Sequence, residues 1–413
     1  MDRREAALTL GELYRTIELP LVPVLAEMEL RGVMLDVPYF AWLAKQMQIA
    51  LKKDLARVKR LAGGPVNPRS SKQLSKVLYG EDELVPRRTK TGAPSTDKYA
   101  LATLGTPLAK AVLSYRDTAT SLSNYVLKLP RLVLDDGRVH GSFNQAGTWE
   151  EHGEDYRASP ASGRLSSSGP NLQQVSVKTR WGVAIRRGFV AADGFSFVGG
   201  DIAQEELRIA AMLAKDEELL QAFERREDPH AMTAKALGLR REEAKNCNYA
   251  LIYGVAAPKL LLMAPGLGSV KAAEEARIDF FRLYPSFPAW HKEIAAICAK
   301  QGYVETWYGR RRYFPEIWSH SLKRRREAER QAINHTVQGT GADVIKLALR
   351  RVYDKLAPGD GIILTSHDDV VAEAADMQTA RQAISSMTKG LLPVDLPVEV
   401  KQGKNWGDMV YES

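Results

Sequence analysis

Three acidic residues and one row of cations and rings are where this 413-residue chain could do chemistry. Asp201 follows the apolar run Phe195-Ser196-Phe197-Val198 and the pair Gly199-Gly200, and it precedes Gln204-Glu205-Glu206-Leu207-Arg208, which reads as the start of a helix. A carboxylate at a strand end can hold a hard cation while the strand fixes its position. The plainer alternative is an aspartate capping the helix. Asp368 and Asp369 lie at the tip of a second apolar hairpin. Adjacent acids repel unless cations or solvent compensate, although aspartate is also a common turn residue. If the two strands lie side by side, Asp201 and Asp368 converge. Two carboxylates spanning two divalent ions roughly 3.5–4 Å apart are the arrangement for in-line phosphoryl displacement.

The row is Arg241, Lys245, Tyr249 and Tyr253. A spacing of four rotates each member by about 40° on a helix, so the row stays on one face and rises about 18 Å. Cations at one end suit a triphosphate, and rings at the other suit a base or a sugar. A mixed helix face turned to solvent is the bland alternative.

The elements that must hold these groups can be read from periodicity. Helical spacing runs from Leu19 through Val24, Leu25 and Met28 to Gly32, and again from Phe40 to Leu61, ending at Gly63-Gly64-Pro65. Residues 65–94 read as loop around one short helix, and Leu101 to Leu129 as helix. Arg138 to Phe143 and Phe195 to Val198 alternate as strands do, whereas Trp149 to Ser162 is polar and reads as loop. Residues 203–350 are mostly helical. Gly361 to Thr365 and Val370 to Ala374 form a hairpin around Ser366-His367-Asp368-Asp369. There is no internal repeat. The pattern is that of an α+β body with helical subdomains.

Lys plus Arg number 58 against 50 Asp plus Glu, a net charge of +8. The basic residues are concentrated between Lys52 and Lys90, where only Asp54, Glu81, Asp82 and Glu83 oppose them, and in the runs Arg310–Arg312 and Lys323–Arg326. Such surfaces attract phosphate backbones, though solvated helix faces look the same in sequence. No apolar run of about 18 residues marks a membrane span, and the N-terminus lacks a secretory signal. The two cysteines, Cys247 and Cys298, argue against a disulfide framework and for a reducing cytoplasm.

Several ordered segments resemble the family A (polymerase I type) DNA polymerases. They are Ile17-Glu18-Leu19-Pro20-Leu21-Val22-Pro23, Asn67-Pro68 with Ser71-Lys72-Gln73-Leu74, and Gly163-Arg164-Leu165-Ser166-Ser167-Ser168 with Pro170-Asn171-Leu172-Gln173. Asp201 to Arg208, Arg241 to Gly254, and Ala328-Glu329-Arg330-Gln331-Ala332-Ile333-Asn334 with Gln338-Gly339-Thr340 follow. His367-Asp368-Asp369 and Lys404-Asn405-Trp406 complete the series. The resemblance covers nearly the whole chain.

It implies a right-hand fold: an antiparallel palm sheet with helical fingers and a helical thumb. Residues 1–37 would lead into the palm, 38–130 form the thumb, 131–216 the palm with the first catalytic motif, 217–339 the fingers, and 340–413 the palm with the second motif. Asp201 and Asp368 become ligands of two Mg²⁺ ions, for which Mn²⁺ can substitute, and Asp369 joins the catalytic acids. Arg241 and Lys245 would bind the triphosphate, with Lys245 a proton donor to departing pyrophosphate. Tyr249 would pack on the incoming sugar, Tyr253 would help position the templating pair, and Gln204 and Glu206 would complete the nucleotide site, Glu206 as a steric gate against a ribose 2′-hydroxyl. Arg164, Asn171, Gln173, Arg330, Asn334 and Gln338 would line the minor groove or the primer end, testing pair geometry without reading sequence. His367 would brace the primer terminus.

The expected partners are primer–template DNA and dNTPs, with no membrane; a separate exonuclease or processivity factor in trans is left open, as is replication versus repair. Only 17 residues precede Glu18, so no proofreading or 5′ nuclease domain is expected. A single-subunit RNA polymerase and a catalytically silent DNA-binding subunit are the alternatives; Glu206 argues against the first and the two retained aspartates against the second. The sequence also departs from the family pattern. Ile202 and Ala203 replace a Tyr-Ser pair, Glu205 replaces an apolar residue, and Asp369 replaces a glutamate. Tyr249 in place of phenylalanine resembles some bacteriophage members and implies ready use of dideoxynucleotides. Trp149 to Ala161 looks like an insertion.

Overall fold

The computed structural model describes residues 7–79, 87–89, 91–146, 148–149, 156–157, 160–175 and 177–411. Lys90 and Glu81–Glu83 of the basic stretch lie outside the described residues, as do 150–155, 158 and 159 of the segment at 149–161.

The chain folds around an antiparallel five-stranded sheet. Ser196–Ile202 (β1) is its centre, Gly361–Ser366 (β2) and Asp369–Ala374 (β3) are the expected hairpin, and Val398–Gly403 (β4) and Val410–Tyr411 (β5) complete the order β2-β3-β1-β4-β5. Phe197, Val198, Ile202, Val370 and Val371 are buried, as befits strands covered on both faces. The Gly199-Gly200 pair explains how the central strand is covered so closely. A Cβ on Gly200 would lie 2.4 Å from Ile384 Cγ2, and one on Gly199 would lie 2.9 Å from Lys401 Cε. A helix presses on one face of β1 at Gly200, while a lysine chain lies across the other at Gly199.

Helices surround the sheet. Leu19–Arg31 (α1) ends on Gly32, whose φ of +60° suits glycine. Val37–Leu61 (α2) begins three residues before the sequence pattern implies, because the Asp36 carboxylate accepts from Tyr39 N and Pro38 occupies the first turn. The stretch expected to be helical from 101 to 129 is divided. Lys98–Leu104 stops at Gly105, Pro107–Ser121 (α3) restarts under a Thr106 cap, and a π turn at Leu122–Val126 and a 3₁₀ turn at Leu129–Leu132 follow. The outer half of α2 builds a separate small core with these elements through Val58, Val66, Leu74, Leu101 and Val112.

The strand expected over 138–143 is two strands. Arg138–Val139 pairs with Val33–Met34, and Ser142–Asn144 pairs with Ser166–Ser168. The segment read as loop holds a short hairpin, Thr148–Trp149 against Tyr156–Arg157. The helical region carries Glu205–Ala214 (α4), Pro229–Leu237 (α5), Arg241–Ile252 (α6) and the 32-residue Leu322–Tyr353 (α7). Met377–Ser385 (α8) is the helix against Gly200. The boundary expected at 339/340 runs through the unbroken α7. Among the described residues no helix is long and apolar enough to cross a membrane.

Candidate active site

Antiparallel register brings the acids together. Asp201 on β1 pairs with Asp369 on β3 and with Glu399 on β4. Residues directly opposite in such a pair share a face, so all three side chains leave the same side of the sheet. Asp368 occupies the β2–β3 turn, and its carbonyl accepts from Ile202 N at 3.2 Å, tying the turn to the end of β1. The N-cap alternative for Asp201 is not what is found: it lies within the strand, and Gln204, with a left-handed φ of 54°, caps α4 without a side-chain bond.

The electrostatics follow from that crowding. Burial, then the Asp368 and Asp369 carboxylates, push Asp201 up to about 7. Burial raises Asp368 as well, opposed by its own backbone N–H and His367. Burial raises Asp369, opposed by Lys401, whose Nζ sits 2.8 Å from Asp369 Oδ2. Neither Asp201 nor Asp368 makes an ion pair among the described residues. No group of three or more His, Cys, Asp or Glu forms a ready-made metal cage among them either. Two half-buried, unpaired carboxylates side by side are what Mg²⁺ uses, since it takes one or two protein carboxylates and completes its shell with water and substrate phosphates. The donor set fits that ion.

One turn beyond, Glu206 is held from two sides: Arg164 Nη2 donates to Oε1 at 2.5 Å and the Tyr253 hydroxyl donates to Oε2. Burial, then the Glu206 charge, raises the Tyr253 hydroxyl well above the ordinary value, with Arg164 and nearby Gln338 opposing. Tyr249 is pushed up to about 12 by burial and then by Glu206, Asp368 and Asp201, which places its hydroxyl in the field of the acid cluster. Arg164, Glu206, Tyr249, Tyr253 and Gln338 thus gather with Asp201, Asp368 and Asp369.

The remaining expected residues sit further out. Arg241 and Lys245 lie on the exposed opening turns of α6, with Arg241 Nε 2.5 Å from Asp228 Oδ2. Arg330, Asn334 and Gln338 follow at intervals of four on α7; Arg330 is exposed, and Asn334 Oδ1 is buried without a partner. Asn171 Oδ1 is likewise buried and unpartnered. Gln173 is strapped to β2: its Nε2 donates to Thr365 O at 3.2 Å and its carbonyl accepts from Ser366 Oγ at 3.3 Å. His367 stands exposed at the turn with φ 61°.

Sequence reasoning missed three residues here. His230 is buried with its ring 5.9 Å from that of Tyr249 and its Nδ1 2.9 Å from Asn248 Nδ2; burial holds it down to about 4, so the ring is neutral. Asp228 caps α5 and pairs with Arg241; the string Asp-Pro-His before an apolar helix was the available signal. Lys401 was visible only as the alternate of Glu399 in a strand. Glu205, noticed as a departure, is 4 % exposed with Oε1 unpartnered; burial and then Asp368 push it up to about 8.

With this geometry in place, similarity to known proteins is informative. Residues 38–408 match the family model for DNA polymerase family A. Thermostable DNA polymerase I of Thermus filiformis is 38% identical over 414 residues, covering 95% of this chain and 48% of that protein. DNA polymerase I of Pseudomonas aeruginosa is 36% identical, covering 98% of this chain and 45% of that protein. The polymerase domain of Pol1 from M. smegmatis, solved with a DNA primer-template and dNTP, superposes with a TM-score of 0.85 at 30% identity, covering 96% of this chain and 72% of that one. The chain spans about half the length of the curated relatives it matches.

Proposed function

The chain belongs to DNA polymerase family A, and from that membership we propose that it extends a primer 3′ end with dNTPs by template-directed nucleotidyl transfer. Its partners are primer–template DNA and dNTPs, and its setting is the cytoplasm. The α+β right hand divides into thumb at 38–130, fingers at 217–339, and palm at 131–216 and 340–413, with residues 1–37 leading into the palm. The observation that carries the reading is that the β1–β3 pairing sets Asp201 beside the turn that bears Asp368, both half-buried and without an ion pair among the described residues.

Asp201 and Asp368 would hold the divalent cations. Two Mg²⁺ ions, or Mn²⁺ in their place, would when bound supply neutralisation of phosphate charge and a lowered pKa at the attacking 3′-hydroxyl. Arg241 and Lys245 attract the triphosphate, and Lys245 Nζ gives a proton to the leaving pyrophosphate. Tyr249 packs on the sugar, with its hydroxyl beside the acids favouring dideoxynucleotides. Tyr253 holds Glu206 in the space a 2′-hydroxyl would need, and Gln204 completes the nucleotide site. Arg164, Asn171, Gln173, Arg330, Asn334 and Gln338 align primer and template through the groove, and His367 braces the terminus. Catalysis is by positioning and charge compensation.

Primer extension in Mg²⁺ tests this. Asp201→Ala and Asp368→Ala should each lower the rate by at least about a hundredfold with DNA affinity kept. Full activity in either variant removes the site.

A further inference from the structure

Of Asp201, Asp368 and Asp369, only Asp369 has a counterion in contact among the described residues. Lys401 pairs with Gly199 in the β1–β4 register, two positions along from the Asp201–Glu399 pair, so it emerges on the same face as Asp201 and Asp369. To reach Asp369 its chain crosses the central strand, and the missing Cβ of Gly199 makes the crossing feasible: a methyl there would lie 2.9 Å from Lys401 Cε. Lys401 Nζ then meets Asp369 Oδ2 at 2.8 Å, with both side chains little exposed. The other cation near Asp369 is committed elsewhere, because Arg186 stacks on Trp406 at 3.8 Å and its Nε donates to Val175 O at 2.7 Å.

We propose that Lys401 is a positioning residue of the cation centre: laid across Gly199, its ammonium neutralises Asp369 and keeps that carboxylate out of the ligand set, leaving Asp201 and Asp368 as the pair that binds the ions. The proposal rests on the reading of those two aspartates as cation ligands. A fixed positive charge on the same face also weakens divalent binding, so the chain carries a built-in competitor for its own ions. Charge, rather than packing, is what Lys401 contributes at this point.

The test is Mn²⁺ binding to the whole chain without DNA or nucleotide, with free Mn²⁺ read by electron paramagnetic resonance. The double variant Asp201→Asn/Asp368→Asn should lose the tightest binding. Binding unchanged there refutes the cation site, and this inference with it. Lys401→Met leaves Asp369 uncompensated and should tighten Mn²⁺ binding roughly three- to tenfold. Asp369→Asn/Lys401→Met keeps the net charge of the wild type and should bind Mn²⁺ within about twofold of it. Wild-type affinity in Lys401→Met shows that the lysine does not bear on the ions, and a loss of about tenfold or more in Asp369→Asn/Lys401→Met shows that Asp369 is a ligand. Either result overturns the proposal while leaving the cation site standing. Where Lys401→Met alone does not fold, Asp369→Asn/Lys401→Met, which buries no unpaired charge, carries the decision.

Discussion

The hydroxyl of Tyr253 donates to Glu206 Oε2 from the C-terminal end of α6, linking the helix that bears Arg241 and Lys245 to the residue proposed as the steric gate. Arg164 holds the other carboxylate oxygen. The proposed gate is therefore a carboxylate fixed by two donors from different parts of the fold, and its position depends on both.

Removing the gate should cost selectivity before it costs rate. Glu206→Ala opens the space facing the 2′ carbon, and the ratio of rNTP to dNTP incorporation is expected to rise on the order of tenfold or more. Tyr253→Phe removes one of two anchors, worth about 1 kcal/mol, and should raise the same ratio by about fivefold at most. Single-nucleotide insertion kinetics with paired dNTP and rNTP measure both. A ratio unmoved in Glu206→Ala would assign the sugar discrimination to another residue.

A second expectation concerns pH. Glu205 carries a folded-state pKa of about 8 against an ordinary 4.5, because burial and Asp368 disfavour its charge. The folded state therefore binds more protons than the unfolded state between those values. Stability from this group is present below 4.5 and lost as pH rises through about 8. Glu205→Gln has no proton to release, so its stability should fall less than that of the wild type between pH 5 and pH 9 in EDTA, as read by urea unfolding at each pH. Parallel curves for the two proteins would show that Glu205 is already charged in the fold.

Glu205 also marks where reading a sequence stops being sufficient. Asp201, the Asp368 hairpin and the α6 row were legible because each is a local string whose neighbours fix its element: an apolar strand, a turn, a spacing of four. The meeting of Asp201 with Asp368 needed only adjacent strands, and the register supplies them. That Glu205 is buried against Gly341, where a Cβ would lie 2.9 Å from its Oε2, depends on two helices more than a hundred residues apart. The Lys401 crossing depends on register and on a missing side chain in the strand that lies between Lys401 and Asp369. Helix limits failed for local reasons: Asp36 started α2 early, and Gly105 interrupted a run whose apolar spacing looked continuous.

Stability should also depend on a charge network remote from the acids. Lys346 on α7 is buried and donates to both oxygens of Glu18, which Arg310 also engages, while Arg310 Nε meets the buried Asp343 at 2.7 Å. This network joins the segment before α1, the loop at 306–310 and the inner half of α7. Lys346→Met leaves Glu18 with one cation in place of two, and a loss of roughly 2–4 kcal/mol is expected, near the lower end for a broken buried pair because Arg310 remains. Denaturant unfolding would measure it. A loss under about 0.5 kcal/mol would place the pair with surface ion pairs, despite its burial.

The last expectation turns on Asp228, which does two things at once. One oxygen caps α5 by accepting from His230 N at 2.9 Å, and the other holds Arg241 Nε at 2.5 Å. Asn caps a helix about as well as Asp, so Asp228→Asn keeps the cap while removing the negative charge. If Arg241 receives the triphosphate, Asp228 competes with it for the guanidinium and repels it besides. Asp228→Asn should then lower KM for dNTP by about threefold with kcat within about twofold, and the gain should shrink as salt rises, because the repulsion is partly exposed and screened. The contrary outcome has a distinct physical meaning: a raised KM would show that the carboxylate aims the guanidinium at the phosphates, so that orientation outweighs charge at this contact.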